Sequence, residues 1–131
     1  MRISKIIIIP SLIICTTFTY AQCTTLDQIS NSNEVEEACV LYRDHLKNNN
    51  TGKALSYWTR VYNHAPALNG SVNHVYSDGR ILYTQKFNES KKRKEKRKYA
   101  EFVVQLYEEE KFCFPEREVV PIPNEIVNYK Y

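Results

Sequence analysis

The chain has 131 residues, room for one modest domain, with 18 Lys and Arg against 15 Asp and Glu for a formal net charge of +3. That balance excludes a globally basic nucleic-acid binder, and three glycines leave little room for a phosphate-cradling loop. The length supports a small core with a large share of surface still exposed.

The N-terminus reads as a segment to be removed. Arg2 and Lys5 precede an apolar run over residues 6–14, and a polar stretch then reaches Thr19-Tyr20-Ala21-Gln22. This is the three-part plan of a secretory signal peptide over residues 1–21, with small residues Thr19 and Ala21 where a peptidase reads and a cut expected between Ala21 and Gln22. Pro10 interrupts the apolar run, which is shorter than the roughly 20 residues of a comfortable membrane span. The rival readings are an uncleaved anchor, or a lipoprotein modified at Cys23, for which Gln22 is a poor preceding residue. Loss of Arg2 and Lys5 lowers the basic count from 18 to 16 against 15 acids, a net charge of +1. The basic character is therefore local.

Cys15 leaves with the signal, and Cys23, Cys39 and Cys113 remain. In an export compartment at most one pair among these three can bridge, leaving one thiol over. No CxxC occurs and His45, His64 and His74 are scattered, so neither a metal site nor a cofactor is expected.

Residues 22–33 read as a flexible leader. A first helix is predicted over 34–47 from the stripe Val35, Ala38, Cys39, Tyr42 and Leu46, with Ser32 or Asn33 as cap and Glu34, Glu36 and Glu37 favouring its positive end. Residues 48–52 stop it, and Thr51 is the expected next cap. A second helix over 52–63 carries Ala54, Trp58, Val61 and Tyr62, and Pro66 cannot continue it. Asn69-Gly70 marks a turn. A third helix over 71–87 presents Val72, Val75, Tyr76, Gly79, Leu82, Tyr83 and Phe87. Gly79 costs up to about 1 kcal/mol there against alanine, unless a close helix contact uses it.

Lys91, Lys92, Arg93, Lys94, Lys96, Arg97 and Lys98 follow, interrupted by Glu95. Lysines at a helix N-terminus oppose its dipole, so this run reads as a linker plus a frayed first turn. The fourth helix is predicted over 99–112 from Tyr99, Phe102, Val103, Leu106 and Tyr107, and Pro115 closes it. Residues 116–131, with Pro121 and Pro123, read as an extended, weakly ordered tail.

Four helices with short links over 34–115 imply an all-α fold of two stacked antiparallel hairpins. The spacings of Ala54, Trp58, Val61 and Pro66 are four, three and five, the second-helix signature of tetratricopeptide-like repeats. The expected architecture is thus a short solenoid of that type. Such arrays usually need about three repeats for stability, so two hairpins imply a fragment, a small two-hairpin domain or a subunit that pairs.

The order C-V-L-Y-R-D-H-L, A-L-S-Y-W-T-R-V-Y-N-H-A-P, V-Y-S-D-G-R-I-L-Y and Y-A-E-F-V-V-Q-L-Y-E-E-E-K-F-C-F-P resembles the N-terminal repeats of exported tetratricopeptide-repeat proteins of Bacteroidota, over roughly residues 39–115. The resemblance implies a cell-envelope location, in the periplasm or at the outer membrane, and protein binding. It supplies no catalytic residues. Members of that family commonly carry a cysteine where His64 stands, which could pair with the one matching Cys39. Its absence implies that Cys39 bridges elsewhere or stays reduced. Family members also continue into further repeats, which implies a truncated or divergent copy here.

Two charge features remain. The basic run is either a polyanion or acidic-lipid contact or a solvated linker matched by Glu108, Glu109 and Glu110, which read as a solvated face. Ten tyrosines and five phenylalanines read mainly as core. Asp44 and His45 are adjacent on a helix and point apart, and no catalytic motif appears. The expected function is a non-catalytic exported scaffold with a protein partner and no nucleic acid. The alternatives are an anion- or lipid-surface module with peripheral membrane contact, and a truncated paralogue without independent function.

Overall fold

The computed structural model describes residues 23–130; the expected signal peptide over residues 1–21 and the expected cut at Ala21–Gln22 lie outside them. These residues form five helices, α1 (Ser32–Lys47), α2 (Thr51–His64), α3 (His74–Glu89), α4 (Arg93–Cys113) and α5 (Asn124–Lys130), preceded by a 3-10 turn at Leu26–Gln28. The fold is all-α. α1 packs on α2 and α3 on α4, each pair across a short link, while α2 meets α3 and α5 lies on α4.

Helix α1 buries Val35, Ala38 and Tyr42 from the predicted stripe. Asn49, at φ 55°, ends the turn after it. The Asn50 side chain, rather than Thr51, caps α2 by accepting from the Lys53 amide at 3.4 Å, a job its short amide does well. Ala54, Trp58 and Val61 are buried along α2, and Pro66 is buried in the corner after it.

The α2–α3 connection is longer than periodicity predicts, and α3 starts at His74 rather than at 71. Asn69 folds back on Ser71, accepting from its amide at 3.0 Å and its hydroxyl at 2.8 Å. Gly70 takes φ 78°, open to glycine without strain. Leader residues pair with this loop, the Leu26 amide with the Leu68 carbonyl at 2.7 Å and the Ala67 amide with the Thr24 carbonyl at 3.0 Å. The leader expected to be flexible is thus tied down from residue 24.

Helix α4 begins within the basic run, which is therefore not a linker beyond Lys92. Ser90 donates to Glu95 at 3.0 Å and Lys92 lies 3.5 Å from the same carboxylate, so one acid in the first turn offsets the unfavourable cations. Lys96 turns away from its basic neighbours and sets its ammonium 4.4 Å from the Phe87 ring centroid. The tail is also not extended throughout. Ile126 of α5 is buried with Phe87, Ala100 and Val103, and Tyr129 meets Phe87 edge-on at 5.2 Å. Burying one Ile stabilises by roughly 1.5–3 kcal/mol, and that apolar seat holds the segment.

The larger core lies among α1, α2, α3 and α4 around Tyr42, Trp58, Val75, Tyr76, Leu82 and Leu106. At Gly79 the approach is closest: a Cβ there would lie 2.2 Å from Trp58 Cζ2. Of the two roles open to Gly79, close contact is the one observed.

Cys23 bridges Cys113 across a sequence separation of 90 residues, and Cys39 is free. Closing so long a loop removes conformations from the unfolded chain, worth about 2–5 kcal/mol. Reduction, or Cys113→Ser, is expected to move the urea midpoint down accordingly. An unchanged midpoint in dithiothreitol would count against the bridge.

Candidate functional site

An open groove of about 520 Å³ runs along α3, lined by Arg80, Ile81, Thr84 and Gln85 and by Val120 and Pro121 of the segment leading to α5. The α3 residues recur at helical spacing on the face away from Trp58. Ile81 and Val120 are 56% and 70% exposed, so large apolar side chains rim the groove and meet solvent.

Arg80 forms its floor. It is 8% exposed, donates from Nη1 to the Val120 carbonyl at 2.8 Å, and donates from Nη2 to Glu110 Oε2 at 2.8 Å. Its Nε is buried with no partner among the described residues. Asn73 donates to the other Glu110 oxygen at 2.5 Å. Beside this pair, Tyr62 donates to Glu109 Oε2 at 2.7 Å and Gln105 to Glu109 Oε1 at 2.8 Å. Burial, then the Glu109 hydrogen bond, pushes the Tyr62 hydroxyl far above its ordinary range, so it stays a donor. The network joins α2, α3 and α4 to the tail.

The solvated face expected at Glu108–Glu110 is thus corrected for Glu109 and Glu110, while Glu108 is exposed. Glu109 and Glu110 are 4% and 1% exposed; Tyr62 and Gln105 hydrogen-bond the first, and the Arg80 guanidinium neutralises the second. Glu110 follows Val103 and Leu106 at seven and four residues. A carboxylate on that stripe was the available signal for a buried partner, and Arg80, four residues after Tyr76, carries its match.

Val119 points the other way from Val120, as alternation in an extended segment requires. It lines a second cavity of about 350 Å³ with Tyr107, Lys111, Phe114 and Arg117. Arg117 also donates to the Ser71 carbonyl.

Cys39 sits apart from both cavities, its Sγ 3.7 Å from His74 Nε2. Burial pushes the thiol up and the imidazole down from their ordinary values. The pair is therefore a thiol beside a neutral imidazole, without the thiolate that nucleophilic chemistry uses. Neighbouring Asp78 is engaged by Tyr42 at 2.9 Å and by Arg43 at 3.7 Å. His64 is exposed and its Nδ1 lies 2.8 Å from the Arg60 carbonyl. No group of three or more His, Cys, Asp or Glu placed to hold a metal occurs among the described residues.

The structure divides the sequence-predicted residues into two kinds. Ala54, Trp58, Val61, Pro66 and Gly79 come together, in the core and not in the groove. Lys91, Lys92, Arg93, Lys94, Arg97 and Lys98 are all exposed at the start of α4, whereas Lys96 is half-buried. Of the groove residues, Arg80 and Ile81 fall inside the stretch V-Y-S-D-G-R-I-L-Y with no role assigned there, and Val120 lies outside every such stretch.

Comparison with family models, curated proteins and solved structures returns no match for this chain.

Proposed function

We propose that the chain is an exported, non-catalytic helical-hairpin scaffold that holds an extended segment of a partner protein along α3. One observation carries this reading: the groove already grips extended backbone. The chain's own Val120 presents its carbonyl to buried Arg80 at 2.8 Å, and a partner strand beside it would meet the apolar rim of Ile81 and Val120. Extended peptides are commonly bound this way, by backbone hydrogen bonds with side chains in flanking pockets.

The packing of α2 on α3 through Trp58 and Gly79 supports tetratricopeptide-like stacking of the two hairpins, with the groove on the face left open. The Cys23–Cys113 bridge supports export to the periplasm or outer membrane, since disulfides persist in oxidising compartments. A bridged Cys23 also has no thiol to carry a lipid, which favours the cut at Ala21–Gln22.

Site-specific photocrosslinking in the envelope of the producing cell tests the proposal. A discrete adduct is expected from a probe at Ile81, absent from a probe at Phe112, which is 72% exposed on α4. Thr84→Trp, which fills the groove, should abolish the adduct. No adduct at Ile81, or equal labelling at Phe112, would overturn the reading.

A further inference from the structure

The exposed cations at the start of α4 form a surface that the groove does not use. Arg93 and Arg97 stand four residues apart on the helix, as do Lys94 and Lys98, so the two rows lie side by side on one face. Lys91 and Lys92 precede the helix in the link, and Lys92 turns to Glu95 at 3.5 Å. All six are exposed. Among the described residues their one ion pair is Lys92 with Glu95. Lys96 is withdrawn to the opposite side, over Phe87 and Tyr129, so the boundary of the charged face is defined. The N-terminal end of the helix dipole adds its partial positive charge to the same spot.

A cluster of this kind raises a local positive potential that a counterpart must neutralise. The surface is convex, built on the first two turns of a helix, and neither cavity described above includes any of the six residues. It therefore suits an extended anionic sheet better than a small anion. It also lacks the stacking rings that single-stranded nucleic acid uses. No aromatic residue lies within 91–98, and the next one, Tyr99, is half-buried against Tyr83.

From this geometry we infer that the start of α4 is an electrostatic docking face for an anionic phospholipid surface. Juxtaposed Lys and Arg are drawn to such surfaces additively, without insertion of apolar side chains. α4 has 21 residues and spans about 30 Å at 1.5 Å per residue. The docked end is therefore the end of α4 far from the Cys23–Cys113 bridge, with α5 and the end of α3 packed beside it. The inference is independent of the groove and holds whether or not a partner segment binds there.

Vesicle flotation with the purified, disulfide-intact protein tests it. The protein is expected to float with vesicles containing phosphatidylglycerol and not with pure phosphatidylcholine. Binding should fall steeply from about 0.01 M to about 0.15 M salt, as the screening length drops from roughly 30 Å to 8 Å. The variant R93Q/K94Q/R97Q/K98Q should lose affinity by several hundredfold, at roughly fivefold per cation. A variant with the same change in net charge, K47Q/K53Q/R60Q/K111Q, should keep most of it. Equal loss in the two variants would reduce the effect to net charge and overturn the docking face. So would binding to phosphatidylcholine, which means apolar insertion, or binding to heparin or duplex DNA without binding to vesicles. The salt titration of the unmodified protein tests the electrostatic origin of the binding, and the two variants test its place on α4.

Discussion

Trp58→Ala is expected to destabilise the protein by about 3–5 kcal/mol, the range for deleting a large buried aromatic side chain. The ring is 1% exposed, donates from Nε1 to the Val75 carbonyl at 2.7 Å, stacks on Tyr62 at 4.8 Å and meets Phe102 edge-on at 6.3 Å. At roughly 4–8 °C per kcal/mol for a domain of this size, the melting temperature should fall by at least about 12 °C. The companion change is Gly79→Ala, and there the sign carries the information. In an open helix this substitution stabilises by about 1 kcal/mol. Here the new methyl would lie 2.2 and 2.7 Å from two Trp58 ring atoms and 3.1 Å from Leu106 Cδ1. The buried ring has no free direction to move, so a loss of about 1–3 kcal/mol is expected instead. In a Trp58→Leu background the penalty of Gly79→Ala should shrink towards zero, because contacting residues are not additive. A melting temperature that rises in the Gly79→Ala single variant would show that the two helices do not meet at this point.

Glu110→Leu is the second change expected to be severe, at about 3–5 kcal/mol. It strands the Arg80 guanidinium, 8% exposed, with only the Val120 carbonyl as partner. An uncompensated buried charge is far more costly than no charge at all. Replacing both members, Arg80→Met with Glu110→Leu, should therefore recover most of the loss, leaving Asn73 and Val120 each short of one hydrogen bond at about 1 kcal/mol apiece. Denaturant titration of the two single variants and the double variant gives the coupling. Additive losses would mean that the pair is hydrated and not buried.

The helices were legible because their apolar residues recur at three and four positions over fourteen residues or more. Val35, Ala38 and Tyr42, or Val103 and Leu106, need no tertiary context to declare a face. The ends were less legible because contacts from elsewhere decide them. α3 starts late because Asn69, Gly70 and the leader at Thr24–Leu26 build a loop together. α4 starts early because Ser90 and Glu95 compensate cations that local rules count as breakers. α5 is seven residues long, shorter than any window in which periodicity can be read, and it depends on Phe87 and Ala100 for its seat. The choice of Cys23 with Cys113 among three pairings is likewise a fact of tertiary proximity. Of the groove, only the buried charges left a trace, since Glu110 breaks an apolar stripe that continues through it.

The bridge between Cys23 and Cys113 has a mechanical consequence. It joins the first described residue to the last residue of α4, so α1 to α4 all lie inside one covalent ring. Tension applied at the two ends of the chain would pass through the sulfur–sulfur bond and bypass these helices. Among the described residues, only the segment from Phe114 onward, with α5, lies in the load path and can peel away. Reduction would put 90 more residues of chain under load, about 300 Å of slack when fully extended.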